Sequence, residues 1–114
     1  MTRKGAEPMK QTLAALGICA KAGRLIFGTP LICEALKGKQ KPWAVLAASD
    51  NSSNTEKRLA DRCAFYGVEL LCLSADGEAL AHAVGKSGRI AAVAVTDEQL
   101  CRLVRGKFEE EHNL

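Results

Sequence analysis

Four short apolar runs, Leu25–Phe27, Trp43–Ala48, Val68–Leu73 and Ile90–Val95, alternate along the chain with longer stretches of helical periodicity. Runs of this length bounded by glycine, proline and polar clusters predict strands. Lys10–Ala22 places Leu13, Leu16 and Ala20 on one helical face and stops at Gly23. Thr29-Pro30 opens a second helix, with Thr as N-cap and Pro at the first helical position. That helix ends near Gly38, ahead of the basic connector Lys39-Gln40-Lys41-Pro42. A third helix follows the polar loop Ser49–Asn54, carries Leu59, Cys63 and Tyr66, and ends at Gly67; Ser74 starts a fourth with Leu80 and Val84. Thr96, with Gln99 three residues on, predicts a capping box for a last helix carrying Leu100, Leu103, Val104 and Phe108. The order α-β-α-β-α-β-α-β-α implies an α/β fold: a single three-layer α/β/α sandwich, its four-stranded sheet covered by helices on both faces.

A chain of 114 residues is one domain, long enough to bury roughly two-thirds of its unfolded surface. The expected division is a flexible tail over 1–8, a single domain over 9–108 and an acidic tail over 109–114. Aromatics make up 4% of the residues. This scarcity argues against binders that stack single-stranded bases on aromatic platforms. No stretch approaches the length of a membrane span, and no apolar signal core follows the charged start, so a cytoplasmic location is expected. Five cysteines (Cys19, Cys33, Cys63, Cys72, Cys101) lie in apolar segments with no C-x-x-C spacing. They read as reduced core residues rather than disulfides or metal ligands. Cys72, inside a strand run, is expected to be among the slowest thiols to react.

The formal net charge is +3, unevenly spread. Residues 1–41 hold eight Lys/Arg against two acids, and residues 42–114 hold eight against eleven. A basic end suggests a polyanion-facing surface, although lysines that simply solvate helix faces give the same count. The most chemically suggestive segment is Gly85-Lys86-Ser87-Gly88-Arg89, which feeds directly into the last apolar run. A buried strand fixes the mount, and the loop offers two cations, a hydroxyl and backbone N–H groups, with glycines allowing close approach to phosphate. The same residues also suit a C-cap glycine followed by a polar turn. A second candidate is Arg24 and the strand-to-helix turn Gly28-Thr29, where a helix start presents N–H groups to an anion; a plain turn is the other reading.

Other chemistries fail on spacing. Gly85-Lys86-Ser87 lacks the glycine that a phosphate-binding P-loop needs at Leu80, and it follows a helix rather than a strand. Asp50 ends a strand run, but the acidic pair and lysine of a phospho-accepting receiver site are missing. It reads as a loop residue ahead of the next N-cap. Ser74 and Ser87 have no histidine near them in sequence, and His82 lies mid-helix. Neither a catalytic site nor a cofactor is expected.

Several blocks together carry a resemblance: A-K-A-G-R-L and G-T-P-L over 20–31, V-L-A-A-S-D-N-S-S-N-T over 45–55, C-A-F-Y-G-V over 63–68, and A-V-G-K-S-G-R-I-A-A-V-A-V-T-D over 83–97. Over about residues 10–105 the chain resembles the kink-turn RNA-binding ribosomal-protein superfamily of the archaeal L-seven-Ae type, most closely its small bacterial YlxQ-like members. The resemblance implies a three-layer fold and RNA binding without catalysis, the partner being structured RNA such as ribosomal RNA. It also implies an RNA surface built from the start of the second helix, Gly28 to Glu34, and the loop before the last strand, Gly85, Lys86, Ser87, Gly88 and Arg89. Strong kink-turn binders carry Asn-Glu and, three residues later, Lys at that helix start; Pro30, Leu31 and Glu34 stand there in this chain. Proline offers no backbone donor, leucine cannot accept from guanine, and Glu34 repels phosphate. Lys37, one turn on, compensates in part. This departure supports an alternative, a protein-interaction adaptor on the same fold with little RNA affinity. Oligomeric state is not legible.

Overall fold

A computed structural model describes residues 9–112, so the tail expected over 1–8 lies outside the described residues. The elements are α1 (Lys10–Lys21), β1 (Leu25–Phe27), α2 (Thr29–Lys37), β2 (Ala44–Ala47), α3 (Ser53–Tyr66), β3 (Glu69–Cys72), α4 (Gly77–Ala83), β4 (Ala92–Val95) and α5 (Glu98–His112). Their types and order are those expected from the sequence. The strand ends are shorter because pairing, not apolar character, sets them.

The sheet is mixed, in the order β1-β4-β2-β3. β4 runs antiparallel to both β1 and β2, with Phe27 opposite Val93 and Ala47 opposite Ala92, while β2 and β3 are parallel. The C-terminal ends of β1, β2 and β3 therefore share one edge, called here the upper edge, with the N-terminal end of β4.

Alternation along the strands splits the core in two. Leu46, Val93 and Val95 pack under α1, α4 and α5; Val45, Ala47, Ala92 and Ala94 pack under α2 and α3. β2 and β4 are buried throughout, which is why they read as unbroken apolar runs. Each fully buried leucine, such as Leu16, Leu46 or Leu80, contributes roughly 1.5–3 kcal/mol of transfer free energy. Gly17 lets α1 lie against the end of α4. A Cβ there would stand 2.8 Å from the Ala83 carbonyl oxygen, a backbone atom tied to the loop that follows.

Three expectations are corrected. Residues 109–112 are not tail but the last turn of α5. Glu111 reaches across to cap α1, which has no acid in its own first turn. Its carboxylate accepts from the Gln11 and Thr12 N–H groups, both at 2.7 Å, and from the Thr12 hydroxyl at 2.6 Å. Burial pushes that carboxyl up, but these hydrogen bonds outweigh it and leave it below its ordinary value. The last two helices also start later than expected. Asp76, not Ser74, precedes α4 and accepts from the Ala79 N–H at 2.8 Å. Asp97, not Thr96, precedes α5 and accepts from Leu100 at 2.9 Å. No helix among the described residues is long and apolar enough to cross a membrane.

Cys72 is the third correction. β3 is an edge strand whose outer positions Glu69 and Cys72 are exposed, whereas Cys19, Cys33, Cys63 and Cys101 are buried. Burial pushes the Cys19 and Cys63 thiols up to about 11, which suppresses the reactive thiolate. Native protein should therefore show one fast thiol and four that react only on denaturation. Replacing Cys72 with Ser should remove the fast phase, which a timed thiol titration would read. A fast phase that survives in Cys72→Ser would place the exposed thiol elsewhere.

Candidate nucleic-acid interface

The antiparallel β1–β4 pairing brings the two segments singled out in the sequence to the same edge. Beyond the last strand pair the Gly28 N–H still donates to the Ala92 carbonyl, at 3.1 Å. Gly28 then turns the chain into α2 with φ +89°, a region open to glycine and costly for other residues. Gly28, not Thr29, is thus the N-cap; Thr29 and Pro30 are the first helical residues, and no side chain caps the helix. The Ile32 N–H bonds back to the Gly28 carbonyl at 3.1 Å. The N–H groups of Thr29 and Leu31 are left at the open end, and Pro30 has none.

On the other side, Lys86 lays its ammonium over the Phe27 ring, 4.9 Å from the centroid. This cation–π contact parks a positive charge beside the start of α2. The glycine loop is built by two left-handed residues, Gly85 at φ +79° and Gly88 at φ +78°. The N–H groups of Gly85 and Lys86 close the end of α4 by bonding His82 and Ala81 carbonyls at 3.2 and 2.9 Å. Ser87, Gly88 and Arg89 find no acceptor for their N–H groups among the described residues. The segment is therefore a C-cap and a donor-bearing loop at once, so the two sequence readings of it are compatible.

Arg89, expected to contact phosphate, is engaged within the chain through one guanidinium nitrogen. Its guanidinium donates to Asp50 at 2.7 Å and to the Asn51 side-chain oxygen at 3.3 Å. It lies flat against Gly77, where a Cβ would meet it at 2.8–2.9 Å. Asp50 also accepts from the Gly77 N–H at 2.9 Å, and that bond, with the arginine beside it, holds its carboxyl below the usual carboxylate range. The Asn51 amide donates to the carbonyls of Ala91 and Ala48, at 3.0 and 3.3 Å. One side of the loop is thus clamped to the β2–α3 turn, in a shallow depression shared with Asp76 and Glu78. Sequence reasoning missed Asp50 and Asn51 as partners of this loop. Only their position at a strand end hinted at a role.

The remaining candidates divide. Pro30 and Leu31 are exposed at the helix start, Leu31 by 61%. Glu34 pairs with Lys37 at 3.3 Å on the same exposed face. Arg24 does not join the cluster: it precedes β1, so it sits at the opposite edge, where its carbonyl accepts from Thr96 at 3.0 Å.

No protein-family model matches this sequence. The chain is 31% identical over 83 residues to the RNA-binding protein YlxQ of Bacillus subtilis (strain 168), covering 73% of this chain and 80% of that protein. The chain belongs to the YlxQ family. A second member, the RNA-binding protein YlxQ of Enterococcus faecium, is 27% identical over 81 residues, covering 71% of this chain and 77% of the relative. Among solved structures, a Bacillus halodurans protein of unknown function superposes with a TM-score of 0.79 at 26% identity, covering 87% of this chain and 97% of that one. The Giardia lamblia 15.5kD RNA binding protein shares the fold, with a TM-score of 0.68 at 19% identity over 97% of this chain and 93% of its own.

The clamp can be tested directly. Asp50→Ala should free Arg89 and raise amide exchange at Gly77 and Ile90 by about tenfold or more, because a charged acceptor and the loop register it fixes both disappear. Because the Asp50 carboxyl is lowered on folding from its ordinary 3.8, the wild-type clamp is intact above that pH and opens only as pH falls through the lowered value. Exchange at Gly77 unchanged by the substitution would show that the loop holds without the pair.

Proposed function

We propose that the chain is a non-enzymatic RNA-binding protein of the ribosomal-protein type, taking structured RNA such as ribosomal RNA across the start of α2 and the loop 85–89. The observation that carries this reading is the contact of Lys86 with Phe27, which joins the two segments into one donor-rich surface. The names of the YlxQ relatives support RNA as the partner class. Lys86 neutralises a phosphate and the Ser87 hydroxyl donates to another oxygen. The N–H groups of Thr29, Leu31, Ser87 and Gly88 supply uncharged donors, and Gly28, Gly85 and Gly88 let the backbone approach. Arg89, held by Asp50, sets the loop's register; Lys37, paired with Glu34, lies in the last turn of α2, at the far end of that helix.

Salt dependence tests this assignment. Lys86→Ala should flatten the slope of log affinity against log salt by roughly one unit, the change expected when one fewer phosphate is neutralised. Arg89→Ala should lower affinity with little change in slope. Equal slopes in wild type and Lys86→Ala would remove the loop from the interface.

Kink-turn recognition is a separate matter. With Pro30, Leu31 and Glu34 at the helix start, the native chain should bind a standard kink-turn duplex poorly. It should discriminate little against one whose G·A pairs are changed to Watson–Crick pairs. The triple change Pro30→Asn, Leu31→Glu, Glu34→Lys should raise both affinity and discrimination. Each restored contact is worth roughly 1–3 kcal/mol, by analogy with base readout in DNA. Tight, selective binding by the native chain would show that other groups read the motif. The exposed Leu31 favours the second reading, a protein-interaction adaptor; a chain that binds no structured RNA in either form would support it.

A further inference from the structure

Three of the five aromatic residues gather at the lower edge, opposite the surface just described. Phe65 is 80% exposed and Trp43 51% exposed, and Tyr66 is half-buried between helix and connector. Phe65 and Tyr66 meet edge to face with ring centroids 4.9 Å apart. Lys41 lies over the Tyr66 ring at 5.2 Å, its ammonium also donating to the Gly38 carbonyl at 2.7 Å. Trp43 follows two residues later, anchored by its N–H to the Val95 carbonyl at 2.8 Å. The parallel β2–β3 register sets Ala44 opposite Glu69, so Trp43 and the end of α3 leave the sheet at the same edge.

The surroundings are cationic. Arg58 and Arg62 precede Tyr66 by eight and four residues, on one stripe of α3. Among the described residues neither they, nor Lys39, nor Lys41 has an acidic partner within 4 Å. The acids at this edge are Asp61, exposed on α3, Glu69, which Arg105 neutralises at 2.9 Å, Glu98, which Arg102 pairs at 3.3 Å, and Asp97, whose carboxylate caps α5. Exposed rings surrounded by unpaired Lys and Arg suit unstacked bases on a phosphate backbone. Aromatic residues and Arg are common in protein interfaces too, but Lys, which stands here twice beside the rings, is depleted in them, so the lysines tip the fit toward a phosphate backbone.

We infer that this edge is a second nucleic-acid site, one that takes a short single-stranded RNA segment by stacking bases on Trp43 and Phe65 while Lys39, Lys41 and Arg62 hold its phosphates. The site is independent of the upper edge. It lets one molecule hold a structured RNA element and a flanking single strand together. The low aromatic content did not predict it, because a count says nothing about clustering.

Trp43 is the only tryptophan and so reports on its own site. Titrating the full chain with a twelve-nucleotide oligoadenylate RNA should quench its emission to saturation. Phe65→Ala should weaken that binding by about 5- to 150-fold, the range for removal of one base–aromatic stack, and Phe65→Tyr should restore it. An exposed position tolerates both changes, so the fold is not at risk. Lys86→Ala should leave the oligoadenylate affinity within twofold while lowering affinity for structured RNA, which separates failure of this site from failure of the upper one. Unchanged Trp43 emission at saturating RNA, or equal loss of oligoadenylate binding in Lys86→Ala, would overturn the inference. So would sedimentation showing that Phe65→Ala converts a dimer to a monomer, which would assign the patch to a second copy of the chain.

Discussion

The direction of one strand organises the upper edge. β4 runs against both β1 and β2, so the chain must return to the upper edge after α4 before it can enter the sheet. α4 is seven residues long, about 10 Å, too short to carry the chain to the lower edge. Gly85 and Gly88, both left-handed, fold it back, and the Ile90 N–H bonds to the Gly77 carbonyl at the very start of the helix, at 3.0 Å. A strand parallel to its neighbours would have entered from below, and the glycine loop would lie far from α2. The meeting of the two segments is a consequence of topology. Side-chain contacts then fix its details.

Those details separate two cations that look alike in the sequence. Arg89 donates from one guanidinium nitrogen to both a carboxylate and an amide oxygen, and its planar group lies against a residue without a side chain, which suits guanidinium geometry. Lys86 carries a compact charge on a flexible stem and rests on a ring face. A ring quadrupole attracts a cation without neutralising it, whereas Asp50 cancels the arginine's charge at contact distance. The arginine therefore holds the loop in register, and in the proposed RNA surface the lysine is the cation without an acidic partner among the described residues.

The sequence was most legible where periodicity and burial coincide. β2 and β4 are covered on both faces, and their apolar runs were unmistakable, as were the apolar faces of the helices. Legibility failed where long-range partners decide. Glu111 reads as tail chemistry until the antiparallel packing of α1 and α5 brings it to the first turn of α1. Cys72 reads as core until its strand proves to lie at an edge. The helix starts at Gly28, Asp76 and Asp97 were each misplaced by one or two residues, because several polar residues in a row offer equivalent local caps. For the candidate site, the glycine loop and the start of α2 stood out in local composition, and the topology brings them to one edge. Asp50 and Asn51 were not, since their partner lies 38–39 residues away in the chain.

Helix polarity is a reason for the proposed RNA surface to include the start of α2 in particular. α2, α3 and α4 all begin at the upper edge, and each start carries partial positive charge. α3 is capped by Ser52 and has Glu56 in its first turn. α4 is capped by Asp76, has Glu78 in its first turn and receives Asp50 at Gly77. Both are satisfied from within, and their acids repel phosphate. α2 has neither a side-chain cap nor an acid in its first turn, and Lys86 stands beside it. Of these three helix starts, it alone is left for an anion from outside. The opposite polarity holds below: α2 ends at the lower edge, where Lys37, Lys39 and Lys41 complement its negative end. Part of the basic character there is therefore structural. Arg58 and Arg62 are not accounted for in that way: they lie on α3, and neither has an acidic partner among the described residues.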